Sequence, residues 1–290
     1  MKIFVASSKK HVGKIQEDIF IRDSFISKGI FSEIATLEDV IKFSKPFDVV
    51  ILKSIWGYHL DCKMFLEQIS ILREKKIVLV NDYGFIYWNI NKFKYLNEIK
   101  NVNVTPTSLL QIKHARTALY IRNTILEASK DFNSDMLVIK PSVSASGYLT
   151  YVYNINKKNS VAVNSLLTKR HLDFIVQPYR PSIFEGEISI IIINGRLLYG
   201  VIRFPGVLSD KKDTIYLKLN DLPIFIKKSA SALGDFFLKK FETLPKICRV
   251  DFLRNTTSYE ILEVELIDPD LFFRYIPENI REKAISMLLK

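Results

Sequence analysis

Short apolar runs alternate with segments of helical periodicity in the first hundred residues. The pattern predicts strands at 2–6, 47–52 and 77–80, and helices at 15–28 and 63–75. Strands that alternate with helices in this way form a parallel sheet covered on both faces. We therefore expect an α/β lobe that ends near residue 100.

The pattern changes after Thr105. A helix is predicted near 114–129, and the segment Asn194-Gly195 between two apolar runs predicts a tight hairpin turn. This part indicates antiparallel sheet with packed helices, an α+β arrangement. The apolar runs that predict its strands, followed by a final helix, are 136–140, 174–177, 187–193, 197–204, 247–253 and 259–267.

Composition narrows the class of protein. Of 290 residues, 48% are hydrophobic and 25% charged, which is enough to bury a core and excludes a disordered chain. Cys62 and Cys248 are the only cysteines, so a disulfide framework and a cysteine zinc cluster are excluded. No apolar run is long enough to span a membrane, and the first residues lack the pattern of a signal peptide. We expect a cytoplasmic protein without a membrane partner.

The net charge of +11 raises the question of nucleic-acid binding. The lysines are scattered in pairs along the chain, and they accompany many Ile, Asn, Phe and Tyr residues, a mixture that AT-rich coding produces by itself. The pattern favours a solvated basic surface, and nucleic acid is not an expected partner.

Two acidic strands near the C-terminus form the most informative segment. Because residues two apart share a face of a strand, Glu263 and Glu265 project together, as do Arg249 and Asp251 on the preceding strand. If the strands pair as a hairpin, the three carboxylates meet on one patch, where like charges call for a cation. Oxygen ligands of this kind suit Mg²⁺. A solvated acidic face offset by basic neighbours explains the same residues, and the residues alone leave both interpretations open.

Three further features are candidates for contacts with a nucleotide, and the first two each have a plain structural alternative. The strand 136–140 ends in Lys140 and is followed by small residues at 142–147, which suit a phosphate, although a strand-end lysine before an ordinary loop is the alternative. A second strand breaks at Gln177-Pro178-Tyr179, which suits an adenine edge or simply marks an edge strand. Arg203 closes an apolar strand and is a candidate phosphate clamp.

Short motifs carry a family resemblance. The segment 52–59, Leu-Lys-Ser-Ile-Trp-Gly-Tyr-His, resembles an Arg-Ser-x-Trp-Asp-Tyr element, with Lys and Gly in place of Arg and Asp. Residues 88–92, 95–96 and 105–107 resemble a Trp-Asn-x-x-Lys, Tyr-Leu, Pro-Thr series. In this order, and over most of the chain, the segments resemble the ATP-grasp superfamily. The resemblance is to the branch that includes glutathione synthetase, the ribosomal-protein glutamate ligase and the cycloserine cyclo-ligase.

The resemblance implies an ATP-grasp fold with a parallel α/β lobe at residues 1–100 and two α+β lobes, 101–176 and 177–290, that clasp ATP. It also implies an ATP-dependent, ADP-forming ligase that joins a carboxylate to an amine or related nucleophile through an acyl phosphate. Amino-acid-like or peptide substrates are expected, and a homodimer is compatible with this interpretation. An ATP-grasp phosphotransferase and a non-catalytic nucleotide-binding protein are the alternatives.

The resemblance assigns roles to individual residues. Arg203 and Lys140 would be catalytic, with Arg203 stabilising the transferring phosphoryl group. One or two Mg²⁺ ions, replaceable by Mn²⁺, would bind to Asp251, Glu263 and Glu265. The residues implied in ATP binding are Lys92, Lys140, Ser144, Ser146, Gly147, Gln177, Pro178, Tyr179 and Glu187.

The sequence also departs from the family pattern. Ser189 stands where many relatives have an arginine, and 206–213 replaces a Phe-Arg element. Residues 206–222 are expected to form a lid or acceptor loop, and the pattern does not identify the substrates.

Overall fold

The computed structural model describes residues 1–99, 102–114, 117–157, 160–169, 171–204, 214–256 and 258–289. Contacts between Cα atoms divide the chain into two compact units. Unit 1 combines Met1–Ile90 with Ser182–Lys290, and unit 2 is Asn91–Pro181. The division into three lobes at residues 100 and 176 remains a prediction.

The start of unit 1 is a four-stranded parallel sheet in the order β2-β1-β3-β4. Its central strand β1 is buried along its whole length, as expected for a strand covered on both faces. The predicted parallel sheet is confirmed. The apolar pattern does not predict β2, which carries polar side chains at the sheet edge, and it does not predict α2 or α4. The elements are β1 Ile3–Ser7, α1 Gln16–Ile26, β2 Ser32–Thr36, α2 Leu37–Phe43, β3 Val49–Leu52, α3 Cys62–Glu74, β4 Val78–Val80 and α4 Tyr83–Asn89.

Unit 2 is an antiparallel sheet in the order β5-β8-β6-β7 with helices packed on it. Helix α6 begins after Thr117, whose side chain accepts a hydrogen bond from the Tyr120 N–H, so the helix starts later than the predicted residue 114. The elements are α5 Lys92–Glu98, β5 Ser108–Leu110, α6 Ala118–Phe132, β6 Met136–Pro141, β7 Tyr151–Asn154, α7 Ser160–Leu167 and β8 Phe174–Pro178.

The second part of unit 1 is a five-stranded antiparallel sheet in the order β11-β10-β9-β12-β13. The predicted hairpin turn is confirmed: Asn194 and Gly195 have φ of 49° and 71°, the left-handed conformation that such a turn requires. Strand β11 and helix α8 were not predicted. The elements are β9 Glu187–Ile193, β10 Arg196–Arg203, β11 Thr214–Leu217, α8 Ile224–Phe241, β12 Ile247–Asn255, β13 Ser258–Glu265 and α9 Glu278–Met287.

One end of this antiparallel sheet forms a shared core with the parallel sheet. The buried residues Ile191, Tyr199 and Ile247 belong to the same hydrophobic cluster as Val5 and Phe25. Burial of apolar area of this kind is the main favourable term in folding. The opposite end of the same sheet face carries the charged residues described below. In the described part of the chain, no helix has both the length and the apolarity needed to cross a bilayer.

Two buried asparagines, one directly after β4 and one at the end of α4, form hydrogen bonds with the backbone at the ends of β12 and β13. Asn81 donates to the carbonyls of Ile247 and Leu266, at 2.6 and 2.8 Å, and accepts from the Ile247 N–H at 2.9 Å. Asn89 donates to the Val264 carbonyl at 2.8 Å and accepts from the Leu266 N–H at 2.9 Å. These bonds satisfy backbone groups at the ends of the strands.

The first two residues of the Trp-Asn-x-x-Lys motif, Trp88 and Asn89, stabilise the fold. Trp88 lies against Phe236, Phe237 and Phe241 of α8, with ring centroids 5.6–5.7 Å apart. Asn89 makes the hydrogen bonds to β13, and the boundary between the units follows at residue 90.

We predict that Asn89→Ala lowers the free energy of unfolding by about 2–4 kcal/mol, because it leaves the Val264 carbonyl and the Leu266 N–H buried without this partner. Urea denaturation should show a lower midpoint with an unchanged slope. Asn279→Ala, at an exposed position of α9, is the control and should stay within about 0.5 kcal/mol of wild type. Equal effects of the two substitutions would contradict the structural role of Asn89.

Candidate functional site

Charged residues occupy one end of the five-stranded sheet in unit 1. The pairing register places Arg249 opposite Glu265, Asp251 opposite Glu263 and Ser189, and Arg203 opposite Glu187. Side chains that lie opposite each other in a sheet share a face. We call this set the charged face: Glu187, Ser189, Arg203, Arg249, Asp251, Glu263 and Glu265. The predicted convergence of Arg249, Asp251, Glu263 and Glu265 on one face follows from the observed register.

A β-bulge in β13 sets the direction of the two glutamates. The register shifts between the pairs Asp251–Glu263 and Phe252–Ile261. In a regular strand Ile261 and Glu263 would share a face, but the extra residue lets Ile261 point into the core and Glu263 join Asp251. The simple alternation used in the prediction does not anticipate this bulge.

Asp251 is buried at the centre of the charged face and is surrounded by donors. Arg249 binds it through two bonds, Nε to Oδ1 and an η nitrogen to Oδ2, both at 2.9 Å. Ser189 donates to Oδ1 at 2.6 Å, and a guanidinium nitrogen of Arg203 lies 3.3 Å from Oδ2. Burial alone would raise the pKa of Asp251, but Arg249 and Arg203 hold it below its ordinary value.

Glu187 is the second carboxylate that Arg203 contacts. Burial and the nearby charge of Asp251 raise the pKa of Glu187 to about 7, although Arg203 and Arg249 act in the opposite direction. Gly186, with φ of 107°, precedes it, and a Cβ there would lie 2.5 Å from the Ile202 side chain. The entry of β9 at Glu187 therefore requires glycine. The face thus combines an ionised Asp251 with a Glu187 that is readily protonated.

Arg249 is a residue whose importance the sequence reasoning missed. The strand pattern indicates only that Arg249 shares a face with Asp251. In the structure it is buried and lies between two carboxylates, with an η nitrogen 2.5 Å from Glu265 Oε1. A buried arginine in the middle of an otherwise apolar strand was the signal that could have identified it.

The fit of Mg²⁺ to this face depends on its donor chemistry. Carboxylate oxygens on one face suit Mg²⁺, which commonly uses one or two carboxylates together with phosphate oxygens. In the part of the chain that the structure describes, no three Asp, Glu, His or Cys residues are grouped closely enough to hold a metal. Arg249 lies between Asp251 and Glu265 instead. Two opposed carboxylates, Asp251 and Glu263, match the number that a phosphate-bound Mg²⁺ commonly uses. The metal site itself, with two or three carboxylates, remains a prediction.

In unit 2, Lys92 and Lys140 are both buried, at 6% and 9% exposure. The Lys92 ammonium donates to the Ser144 carbonyl at 2.6 Å, and its backbone N–H donates to Ser142 at 2.7 Å. Lys92 therefore supports the small-residue loop that follows Lys140. Ser146 and Gly147 are the exposed part of this loop, and both have positive φ. The structure brings Lys92 and the loop together. Their contact with ATP phosphates remains a prediction.

Gln177 lies on β8, and its buried Nε2 donates to Thr107 Oγ1 at 2.9 Å. Its Oε1 is buried and has no hydrogen-bond partner within the described residues. An orphaned acceptor of this kind suits an amino donor such as that of adenine. Pro178 is buried at the end of β8 and Tyr179 follows, half-buried. The adenine assignment of these residues remains a prediction.

The motif at 52–59 lies in unit 1 and is partly structural. Lys53 forms a buried ion pair with Glu17 at 2.5 Å, and Ser54 donates to Asp18 at 2.7–2.8 Å. Tyr58 was not predicted as a site residue. Burial raises its pKa well above the ordinary value, and the charges of Asp268, Glu265 and Glu263 raise it further, so the phenol stays protonated near the charged face.

Residues 206–213 of the expected lid lie outside the described residues. The remainder of 206–222 forms β11 and a short turn at Leu219–Asp221. The lid assignment stays a prediction.

Comparison with known proteins gives no family model and no curated sequence that matches. Solved structures do match over the full length. A D-cycloserine synthetase, DcsG, has a TM-score of 0.79 at 19% identity, covering 99% of both chains. The D-alanine–D-alanine ligase of Bacillus anthracis has 0.68 at 15%, covering 100% of this chain and 96% of that one. A RimK domain ATP-grasp protein from Sphaerobacter thermophilus DSM 20745 has 0.66 at 10%, covering 98% and 97%.

Likeness at these identities establishes architecture. The chain has the ATP-grasp fold, and the predicted fold class is confirmed.

Asp268 generates a prediction about stability and pH. Its Oδ2 is buried without a hydrogen-bond partner among the described residues. Burial raises its pKa well above 3.8, with Glu265 as a further cause. The folded state therefore binds the proton of Asp268 more tightly than the unfolded state does. This proton stabilises the fold fully below the unfolded-state pKa of Asp268, and the stabilisation is lost as the pH rises through the folded-state pKa. Asp268→Asn should raise Tm at pH 8 by about 2–4 °C, the equivalent of about 1 kcal/mol.

The difference in Tm should shrink as the pH is lowered toward 4, because wild type then also carries a neutral side chain at this position. Thermal unfolding of both proteins across this range is the measurement. Asp23→Asn, at an exposed position, is the control and should show no pH-dependent gap. A lower Tm for Asp268→Asn at pH 8 would mean that the carboxylate stabilises the fold.

Proposed function

We propose that this protein is an ATP-dependent, ADP-forming ligase that joins a carboxylate to an amine or a related nucleophile through an acyl phosphate. The observation that carries the proposal is the charged face, where two arginines surround an ionised, buried Asp251 on the ATP-grasp fold. Solved structures of the same fold include a D-cycloserine synthetase and a D-alanine–D-alanine ligase, which supports ligase chemistry.

The chemistry explains the need for ATP. An amine cannot displace oxide from a carboxylate at neutral pH, so the carboxylate must first gain a leaving group. A carboxylate oxygen attacks the γ-phosphorus, the bond to the β–γ bridging oxygen breaks, and ADP leaves. The amine then adds to the acyl carbon and loses a proton, and phosphate leaves with the former carboxylate oxygen.

The protein would contribute positive charge and position to these steps. In unit 1, Arg203 and Arg249 would offset charge on the transferring phosphoryl group. In unit 2, Lys92 and Lys140 would contact ATP phosphates, and the loop with Ser144, Ser146 and Gly147 would cover them. Bound Mg²⁺, for which Mn²⁺ could substitute, supplies charge neutralisation, and Asp251, Glu263 and Glu265 are the residues that would hold it.

The remaining assignments follow the same proposal. Gln177, Pro178 and Tyr179 would contact adenine, and Glu187 would lie near the ribose end of ATP. Amino-acid-like or peptide substrates agree with what the structurally similar ligases are named for. We place the reaction in the cytoplasm, because Cys62 and Cys248 are free thiols, as expected in a reducing compartment.

The direct test follows the carboxylate oxygen. The purified protein is incubated with MgATP and a pool of L- and D-amino acids whose carboxylates carry ¹⁸O, with and without hydroxylamine. We expect ADP release, a hydroxamate in the presence of hydroxylamine, and one ¹⁸O atom in the released phosphate. ADP release without label or hydroxamate would indicate a phosphotransferase or an ATPase instead. Absence of ADP release would contradict the proposal for amino-acid carboxylates.

Substitution on the charged face should remove turnover. We predict that Asp251→Asn and Glu263→Gln each lower kcat of ADP release at least about 100-fold, because each removes negative charge needed for the metal. Circular dichroism and Tm should show a folded protein. Glu185→Gln is the matched control, since Glu185 is exposed and pairs with exposed Arg254. Wild-type turnover in either charged-face variant would remove that residue from the proposed metal site.

A further inference from the structure

One aromatic ring contacts both arginines of the charged face. The Cζ atoms of Arg203 and Arg249 lie 5.2 and 5.5 Å from the ring centroid of Phe272. At such distances a guanidinium is attracted by the negative face of an aromatic ring. Phe272 is 3% exposed, so this attraction acts with little competition from water. No role was assigned to Phe272 in the site described above.

The carboxylates alone do not define the positions of the two guanidinium groups. Arg203 divides its contacts among Glu187, Ser189 and Asp251, and Arg249 divides its contacts between Asp251 and Glu265. A guanidinium with several acceptors can shift between them when a charged substrate arrives. The ring of Phe272 adds one contact that the two guanidinium groups share.

The backbone that carries the ring is held firmly. Phe272 has φ of 59°, and hydrogen bonds fix the residues on both sides of it. The Glu17 carboxylate of α1 accepts from the N–H groups of Leu271, at 2.9 and 3.1 Å, and of Phe273, at 3.1 Å. The Tyr199 hydroxyl donates to the Leu271 carbonyl at 2.7 Å. The left-handed conformation of Phe272 is therefore imposed by its surroundings.

Lys53 completes this attachment. Its buried ammonium binds both Glu17 and the Pro269 carbonyl, and the N–H of Phe272 donates to Asp270 Oδ1 at 2.8 Å. A buried carboxylate that accepts backbone N–H groups and pairs with a lysine is costly to displace. The loop 269–273 is thus fixed to α1 and to Lys53, which follows β3, and the position of the ring follows from this attachment.

We propose that Phe272 is a positioning residue for the ligase reaction: its ring, fixed through Glu17 and Lys53, holds the guanidinium groups of Arg203 and Arg249 where the transferring phosphoryl group develops charge. This inference rests on the proposed function. The ring does not touch substrate and acts only through the two arginines. Its effect should therefore be on kcat, with the KM for MgATP nearly unchanged.

The test changes the electrostatics of the ring without changing its size. Phe272 is replaced by mono-, di- and trifluorinated phenylalanine, which weaken the negative face of the ring stepwise, and by Phe272→Leu. The same set at Phe273, which is fully buried in the same hydrophobic cluster, is the matched control. ADP release is measured with MgATP and the amino-acid pool, and the arginine Nε–Hε resonances are recorded by NMR.

We expect kcat to fall stepwise with fluorination at Phe272 and about tenfold in Phe272→Leu, with KM for MgATP within about twofold. The Phe272→Leu spectrum should show two arginine Nε–Hε resonances displaced by loss of the ring current. The Phe273 set should lower Tm without either effect. Constant kcat across the Phe272 series, or arginine resonances that do not move in Phe272→Leu, would overturn the proposal.

Failure of the proposed function and failure of the positioning role give different results. A wild-type protein that releases no ADP contradicts the proposed function and, with it, the reaction for which Phe272 would position the arginines. An active wild type whose turnover is indifferent to fluorination at Phe272 contradicts only the positioning role.

Discussion

Compensation of the buried carboxylate of Asp251 is the constraint on which the arrangement of unit 1 depends. A carboxylate in the middle of a sheet would be protonated or would destabilise the fold unless cations and donors reached it. Arg249, Arg203 and Ser189 supply them. The two guanidinium groups also make this end of the sheet suited to binding a phosphoryl group, since a guanidinium that binds a carboxylate can bind phosphoryl oxygens in the same way.

The five-stranded sheet serves two purposes on a single face. At one end Ile191, Tyr199 and Ile247 join the apolar core shared with the parallel sheet, and at the other end lie the charged residues. A few residues of the same strands thus separate a region that stabilises the fold from one that carries charge. Burial of the apolar end stabilises the fold, and this stability offsets the cost of burying charged side chains such as Arg249 and Asp251 at the other end.

Residues of α1 and α4, and residues that directly follow β3 and β4, hold backbone segments next to the charged face. Asn81 and Asn89 satisfy backbone groups of β12 and β13, while Glu17 and Lys53 hold the loop that carries Phe272. The chemistry of these side chains does not by itself indicate a role in function. Their contribution is to fix the backbone from which the functional side chains extend.

The sequence by itself determined the parallel sheet, most strands of the antiparallel sheets and the common face of Asp251, Glu263 and Arg249, because strand periodicity and apolar runs are local properties. It did not determine β2, whose side chains are polar at the sheet edge, or the start of α6, which a single capping residue decides. Helix α8 was also not predicted. Only the tertiary structure decided the bulge in β13, the pairing of Arg249 with two carboxylates and the contacts of Phe272. These depend on which distant segments pack together, and no local pattern encodes them.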